Sequence, residues 1–511
     1  METSFRGQYR LLIPVLAVVF IAALDLTVVA PILPSMIVDL DISAVDADRY
    51  AWIVLSYLVA YTVTVPITGR ISDYAGRIPV FGAALLLFVV GSVVAASADS
   101  LGVMVTGRTL QGLGGGAMLP VSMALVADVI PTNRRAAALG LVAAVDTFGW
   151  VLGPVWGAAI NELFDSWRAV FWLNIPICAI AAVFLVTAGK RFPSRSQSQL
   201  PNFASAALAA IGLVTVTLAL SSGSEGAVGQ EQGGGRLGAS SNPMAPFAWY
   251  LLVLGLISLI AFIFSERRSK SPLLPLELIR QRMFQLAAAA NIMVGAALIV
   301  AMVNAPLIIA LLADEDRVST LTALLLGSFT LTMTAGALTG GRVVHRFGTR
   351  PVATIGLIIG ALGFFSMYSW THELDLTLMS MTIAVAGLGL GIVIAPLAES
   401  AIASAGVANY GSASGLVLLA RLLGMTFGLA AITRYGLDRL DTKVAGIEAP
   451  PPQSGESTSA YFIRQQEYLD EQVIPFTLDV IHETFLIAGV LCLVTILIVS
   501  RMRRRSNVAD G

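Results

Sequence analysis

The chain has 511 residues, of which 56% are hydrophobic and only 12% charged, and its mean hydropathy is +0.82. Soluble domains carry about 25% charged residues, so a chain with half that share cannot cover a water-facing surface. The net charge of −1 gives no footprint for nucleic acid.

The apolar residues come in blocks of roughly 19 to 27, the length that crosses a ~30 Å hydrocarbon core at ~1.5 Å per residue. Helical spans are therefore predicted, not barrel strands, which would show ~10-residue alternation. In chain order they are residues 11–37, 50–70, 79–97, 101–129, 136–161, 168–189, 203–221, 247–265, 284–312, 318–343, 351–370, 377–402, 411–435 and 479–502. The first block is longer than the core of a cleavable signal and is read as a span. Fourteen spans put both termini on one side. The Lys190–Arg195 and Arg267–Lys270 clusters, Arg134, Arg135 and the Arg501–Arg505 tail all gather on that side, which the positive-inside rule makes cytoplasmic. The protein is thus expected in the cytoplasmic membrane. Gly223–Gly238 reads as a flexible outer loop. Gly436–Leu478 reads as a long outer segment with a break at Pro450–Pro452, into which the last two helices are expected to extend outward. Its Tyr461, Phe462, Tyr468, Leu469, Val473 and Ile474 recur at helical spacing.

An internal repeat organises the chain. GRISDYAGRIP at Gly69–Pro79 and GRVVHRFGTRP at Gly341–Pro351 share Gly, Arg, Gly and Pro in register after the second and tenth spans. Spans 1–6 (residues 1–190) and 9–14 (284–511) are then repeats, with spans 7 and 8 inserted across 191–283. Transporters are commonly built this way, with the substrate site between the halves.

The motifs around that repeat resemble those of the major facilitator superfamily, and within it the fourteen-helix drug:proton antiporter branch. Gly69, Asp73, Gly76 and Arg77 match the signature loop after the second span, departing at Tyr74 and Ile78 where basic residues are usual. Arg108-x-x-Gln111-Gly112 resembles the fourth-span motif. Gly149, Gly153, Pro154 and Gly157 resemble the antiporter motif of the fifth. Leu24-Asp25-x-Thr27 with Pro34, and Trp167-Arg168-x-x-Phe171-x-x-Asn174-x-Pro176, resemble hallmarks of the branch. The resemblance implies an all-helical fold of two six-helix halves plus two linker helices. It also implies alternating access, and a cytoplasmic gate formed by the Asp73 loop. WIVLSYLVAY, FWLNIPICAIA, GLGLGIVIAPL and ARLLGM are further similar to a mycobacterial exporter group tied to drug efflux and to triacylglyceride or lipoglycan export, which acts with a lipoprotein.

Charges that persist at mid-membrane usually face a cavity or a partner. Asp25 lies ~21 Å along the first span, Asp146 ~15 Å along the fifth, and Arg421 ~15 Å along the thirteenth. Asp25 is the expected proton carrier. Asp146 and Arg421 sit at matching depths in repeat-mate helices, and read either as a latch between the halves or as a permanent ion pair. Arg108, ~11 Å into the fourth span, either assists proton transfer, as the resemblance implies, or only binds backbone carbonyls. The glycines of the fifth span form one smooth stripe, for packing alone or for antiport. Cys178 and Cys492 read as small core residues. His345, His372 and His482 lack metal spacing, and there is no phosphate-binding GxxxxGK[ST] loop, so no metal, cofactor or enzyme chemistry is expected. The expected function is proton-coupled export of a hydrophobic or amphiphilic molecule by a monomer. Lipid export with an extracytoplasmic lipoprotein is the alternative, and a non-transporting membrane sensor a distant third.

Overall fold

A computed structural model describes residues 5–40, 47–189, 202–221, 247–269, 272, 275–371, 374–444, 464 and 474–502. Among the described residues the chain is helical, with no strand. The first span is a bent pair, α1 (Phe5–Thr27) and α2 (Val29–Asp39), meeting at 55°. The apolar block at residues 11–37 predicts one unbroken helix. Its break has a local cause: Pro31 cannot donate to the Thr27 carbonyl and its ring crowds that oxygen, so the helix kinks four residues earlier.

The first half continues with α3 (Ala47–Ala75), α4 (Arg77–Ala96), α5 (Leu101–Val129), α6 (Thr132–Phe164) and α7 (Arg168–Gly189). The inserted pair is α8 (Phe203–Ser221) and α9 (Ala248–Arg268), followed by a short helix, α10 (Leu276–Arg280), which the apolar pattern did not predict. The second half is α11 (Arg282–Leu312), α12 (Glu315–Phe347), α13 (Thr349–Ser366), α14 (Leu376–Ala405), α15 (Tyr410–Val444) and α16 (Ile474–Ser500). Eleven of these are long and apolar enough to cross a bilayer, and the bent pair makes a twelfth. The remaining two predicted spans coincide with shorter apolar stretches, Arg168–Val183 and Ala204–Val216.

The repeat is visible in backbone geometry. Gly76 and Gly348 both have positive φ, 91° and 86°, and each stands at the start of the next helix. An L side chain is strained there, which explains why both loops keep this glycine. The inserted helices pack on each other through Ser205 and Ser265, whose hydroxyls are 2.7 Å apart, and through Ser258, which donates to the Leu208 carbonyl at 2.8 Å. The far side of α9 presents Tyr250, Leu254, Ile257 and Phe264 outward, the surface that lipid requires.

The last two long helices overrun the predicted spans. α15 continues to Val444, about nine residues or ~13 Å past the expected end, and α16 starts at Ile474. Arg439 pairs with Glu483 at 3.0 Å and Lys443 with Asp479 at 3.1 Å, while Tyr435 donates to Glu483 at 2.6 Å. Such exposed pairs need water, so this part of both helices stands outside the hydrocarbon. The Gly223–Gly238 loop and the apolar pattern from Tyr461 to Val473 lie outside the described residues. So do the 190–201 loop and the tail beyond Met502.

Candidate transport site

Three arrangements of polar side chains span the molecule. The first closes the face that carries the Gly69–Pro79 loop. Asp73, at the end of α3, accepts from the backbone N–H groups of Gly411 (2.9 Å) and Ser412 (2.8 Å), and from the Ser412 hydroxyl (2.6 Å). These are first-turn donors of α15, so a carboxylate of one half caps a helix N-terminus of the other. Arg77 holds that carboxylate at 2.6 Å and also pairs with Asp128 at 2.9 Å. Gly69 faces the Gly411 carbonyl with no room for a Cβ, and Gly415 likewise faces Val65. The same closeness recurs across the molecule. There Gly140 of α6 meets the Ala337 carbonyl, and Gly341 of α12 meets that of Ala136. Two backbone-to-backbone seams therefore join the halves near this face.

The second arrangement lies inside the first half. Asp25 and Arg108 are both fully buried and pair at 2.7 Å. The other Asp25 oxygen accepts from Asn174 of α7 (2.9 Å) and Gln111 of α5 (3.1 Å). Gln111 also donates to Ser92 and accepts from Arg108. Arg108 reaches the carbonyls of Ile53 and Asp25 and lies 4.2 Å from the centre of the Tyr57 ring. A buried pair of this kind holds only if its remaining hydrogen-bonding capacity is filled, and Gln111, Asn174, Ser92 and Tyr57 fill it. Gln111 and Asn174 sit in the quoted motifs, but neither carries a charge that would single it out in a span. The signal was available, since polar residues in membrane helices need partners.

The third is a cavity of about 680 Å³ between the halves. It runs from the membrane middle toward the face opposite the Gly69 loop. Ala30 and Pro31 of α2, Trp150, Val151 and Val155 of α6, and Thr322, Leu326 and Thr330 of α12 are in its wall. Asp146 and Arg421 are the charged residues that line it. No ion pair joins them here: Arg421 donates to Asn291 of α11 at 3.2 Å, and its Nε has no hydrogen-bond partner. Asp25 and Arg108 do not line the cavity. The Tyr57–Tyr61 ring stack, with centroids 6.0 Å apart, connects the two regions, because Tyr57 covers Arg108 while Tyr61 faces the cavity. The three mid-membrane charges thus separate into one enclosed carboxylate and a cavity-facing acid and base.

The glycine motifs take up packing positions. Gly112 and Gly116 of α5 lie against the Tyr57 and Tyr61 carbonyls of α3, and Gly114 against Ala84 and Phe88 of α4. Gly149, Gly153 and Gly157 of α6 lie against Phe20, Leu24 and Val28 of the bent first span. Pro154 lines the cavity. Trp167 and Arg168 fasten the end of α2 to the start of α7, both through Asp39.

The family model described as Major Facilitator Superfamily matches residues 15–429. The chain belongs to this superfamily. Its members are transporters, and the two-half fold with an intervening cavity is theirs. Over 489 residues the chain is 32% identical to a triacylglyceride transporter of Mycolicibacterium hassiacum, covering 93% of this chain and 88% of that one. It is 34% identical over 495 residues to the triacylglyceride transporter of Mycolicibacterium smegmatis, covering 93% and 84%. Among solved structures it is similar in fold to the human organic anion transporter MFSD10 (TM-score 0.61, 15% identity, 96% and 99% covered). It is also similar to the proton:xylose symporter XylE (TM-score 0.57, 14% identity, 96% and 95% covered).

Proposed function

We propose that this superfamily transporter is a proton-coupled exporter of triacylglyceride-like lipids. The observation that carries the reading is the cavity between the halves, apolar along most of its wall and bearing one acid and one base at mid-depth. The names of the mycobacterial relatives favour lipid over drug as cargo. A cavity of this size encloses a drug-sized molecule, so a long-chain triacylglyceride leaves part of its acyl chains in the surrounding lipid. Val155, in the cavity wall and more than half exposed, is where those chains pass out.

With the basic loops cytoplasmic, the Asp73 clasp closes the cytoplasmic side and the cavity faces outward. The N- and C-termini then lie in the cytoplasm. In the alternate state the clasp opens, and cargo enters from the inner leaflet. Asp146 and Arg421, apart across the outward cavity, then close on each other as a latch between the halves. A proton on Asp146 removes one charge of that latch, which is how a gradient drives the cycle. Asp25 and Arg108 form the second proton-linked site, reporting through Tyr57 to Tyr61. The overhanging ends of α15 and α16 receive the lipid, or a lipoprotein that carries it away.

The test is export from proteoliposomes holding the full chain as a monomer, with a fluorescent triacylglyceride in the bilayer and ethidium in parallel. Under an imposed proton gradient the lipid is expected to leave the membrane for an acceptor, and Asp146→Asn to abolish the gradient dependence. Gradient-driven movement of ethidium with no movement of lipid would make multidrug efflux the better account.

A further inference from the structure

Pro154 lies inside the continuous helix α6, within the antiporter motif. A proline has no N–H, so the carbonyl four residues earlier, that of Trp150, loses its helical donor. That carbonyl is occupied nonetheless. The hydroxyl of Thr27 donates to it at 2.8 Å from another helix. The alternative acceptor for this hydroxyl, the Leu24 carbonyl, is much farther at 3.4 Å. Gly153 makes the contact possible, since a Cβ there would meet Thr27 Oγ1 and the Leu24 carbonyl.

Thr27 is also the last residue of α1, at the 55° elbow. Two residues before it, Asp25 points into the Arg108 network on α5 and α7. Three and four residues after it, Ala30 and Pro31 line the cavity. On the accepting side Trp150 lines the cavity too, one helical turn from Asp146. One hydroxyl therefore joins the elbow, the buried network and the cavity wall.

We propose that Thr27 is a positioning residue for transport: its hydroxyl fills the Trp150 carbonyl vacated by Pro154, and so ties the state of the Asp25 network to the shape of the cavity. The inference rests on the proton-coupled reading above. The ionisable groups around Asp25 are Arg108 of α5, Tyr57 of α3 and Cys178 of α7. α4 contributes Ser92 by way of Gln111, and Asp146 of α6 faces the cavity instead.

The experiment does not need the cargo. Spin labels replace Leu163 and Leu324, exposed residues of α6 and α12, in the full chain in proteoliposomes. The two native cysteines are buried. The distance distribution is read in acidic and alkaline buffer. In the wild type the populations are expected to shift with pH. Thr27→Val, which keeps the shape and loses the hydroxyl, is expected to weaken that shift about fivefold, the scale of one neutral hydrogen bond. Thr27→Ser should restore it. Pro154→Ala gives Trp150 a donor of its own, so Thr27→Val in that background should cost nothing further. A Thr27→Val chain that answers pH like the wild type overturns the inference alone. So does a Thr27→Val effect of equal size with and without Pro154. A wild type that ignores pH overturns the proton coupling as well.

Discussion

Asp25 is enclosed by three donors, whereas Asp146 looks into the cavity, and their substitutions should differ accordingly. Asp25→Asn leaves the buried Arg108 guanidinium without its counter-charge, and stranding one partner of such a pair costs about 3 kcal/mol or more. Thermal melting in detergent should therefore fall clearly for Asp25→Asn and little for Asp146→Asn, with gradient-driven export lost in both. Equal melting would mean that the Asp25–Arg108 pair does not hold the first half together. Arg421→Ala should slow gradient-independent lipid exchange more than the combined Asp146→Asn, Arg421→Gln change, because the single variant keeps a lone charge in the cavity wall. Equal losses in the two would argue against the latch. The depths of these charges were legible in the sequence, but their directions were not. Helices that are apolar nearly all round give no stripe from which to read rotation, so only packing assigns Asp25 to the half interior and Asp146 to the cavity.

Among the helices, α3 and α15 are held by the Asp73 cap. Losing a charged N-terminal cap costs about 1–2 kcal/mol, and 1.4 kcal/mol is tenfold in an equilibrium. Asp73→Ala should therefore raise thiol labelling of a Ser414→Cys reporter, buried at this seam, by about tenfold. Unchanged labelling would place the clasp elsewhere. The ladder on the overhang makes the opposite prediction. Arg439 is exposed and Glu483 half-buried, and pairs open to water rarely register in stability, so Arg439→Gln should melt like the wild type. Most of the spans were readable because a bilayer demands blocks of a fixed length. Outside the bilayer that demand lapses, so the sequence points to the last two helices extending outward without fixing where they stop. The overhang of α15 beyond residue 435 carries charge like any loop, and the Thr27–Val29 break is caused by a proline four residues away in an unbroken apolar run.

At the scale of the whole molecule, the two halves touch along glycine seams at one face and part around a cavity toward the other. The repeat announced this architecture, since Gly76 and Gly348 mark the same turn in each half, yet no residue pattern gave the size or contents of the space between them. That space is the centre of the account, and it can be filled without disturbing the fold. Gly327 of α12 lines the cavity, and a Cβ added there meets no atom within 4 Å, so a larger side chain can leave the backbone toward open space. Alanine in place of a helix-interior glycine favours the helix by about 0.5–1 kcal/mol, and tryptophan keeps part of that gain. The decisive measurement is gradient-driven export of a fluorescent triacylglyceride by Gly327→Trp in proteoliposomes, beside its melting curve. The account predicts export abolished at wild-type stability, and export persisting at the wild-type rate in a folded Gly327→Trp chain would contradict it.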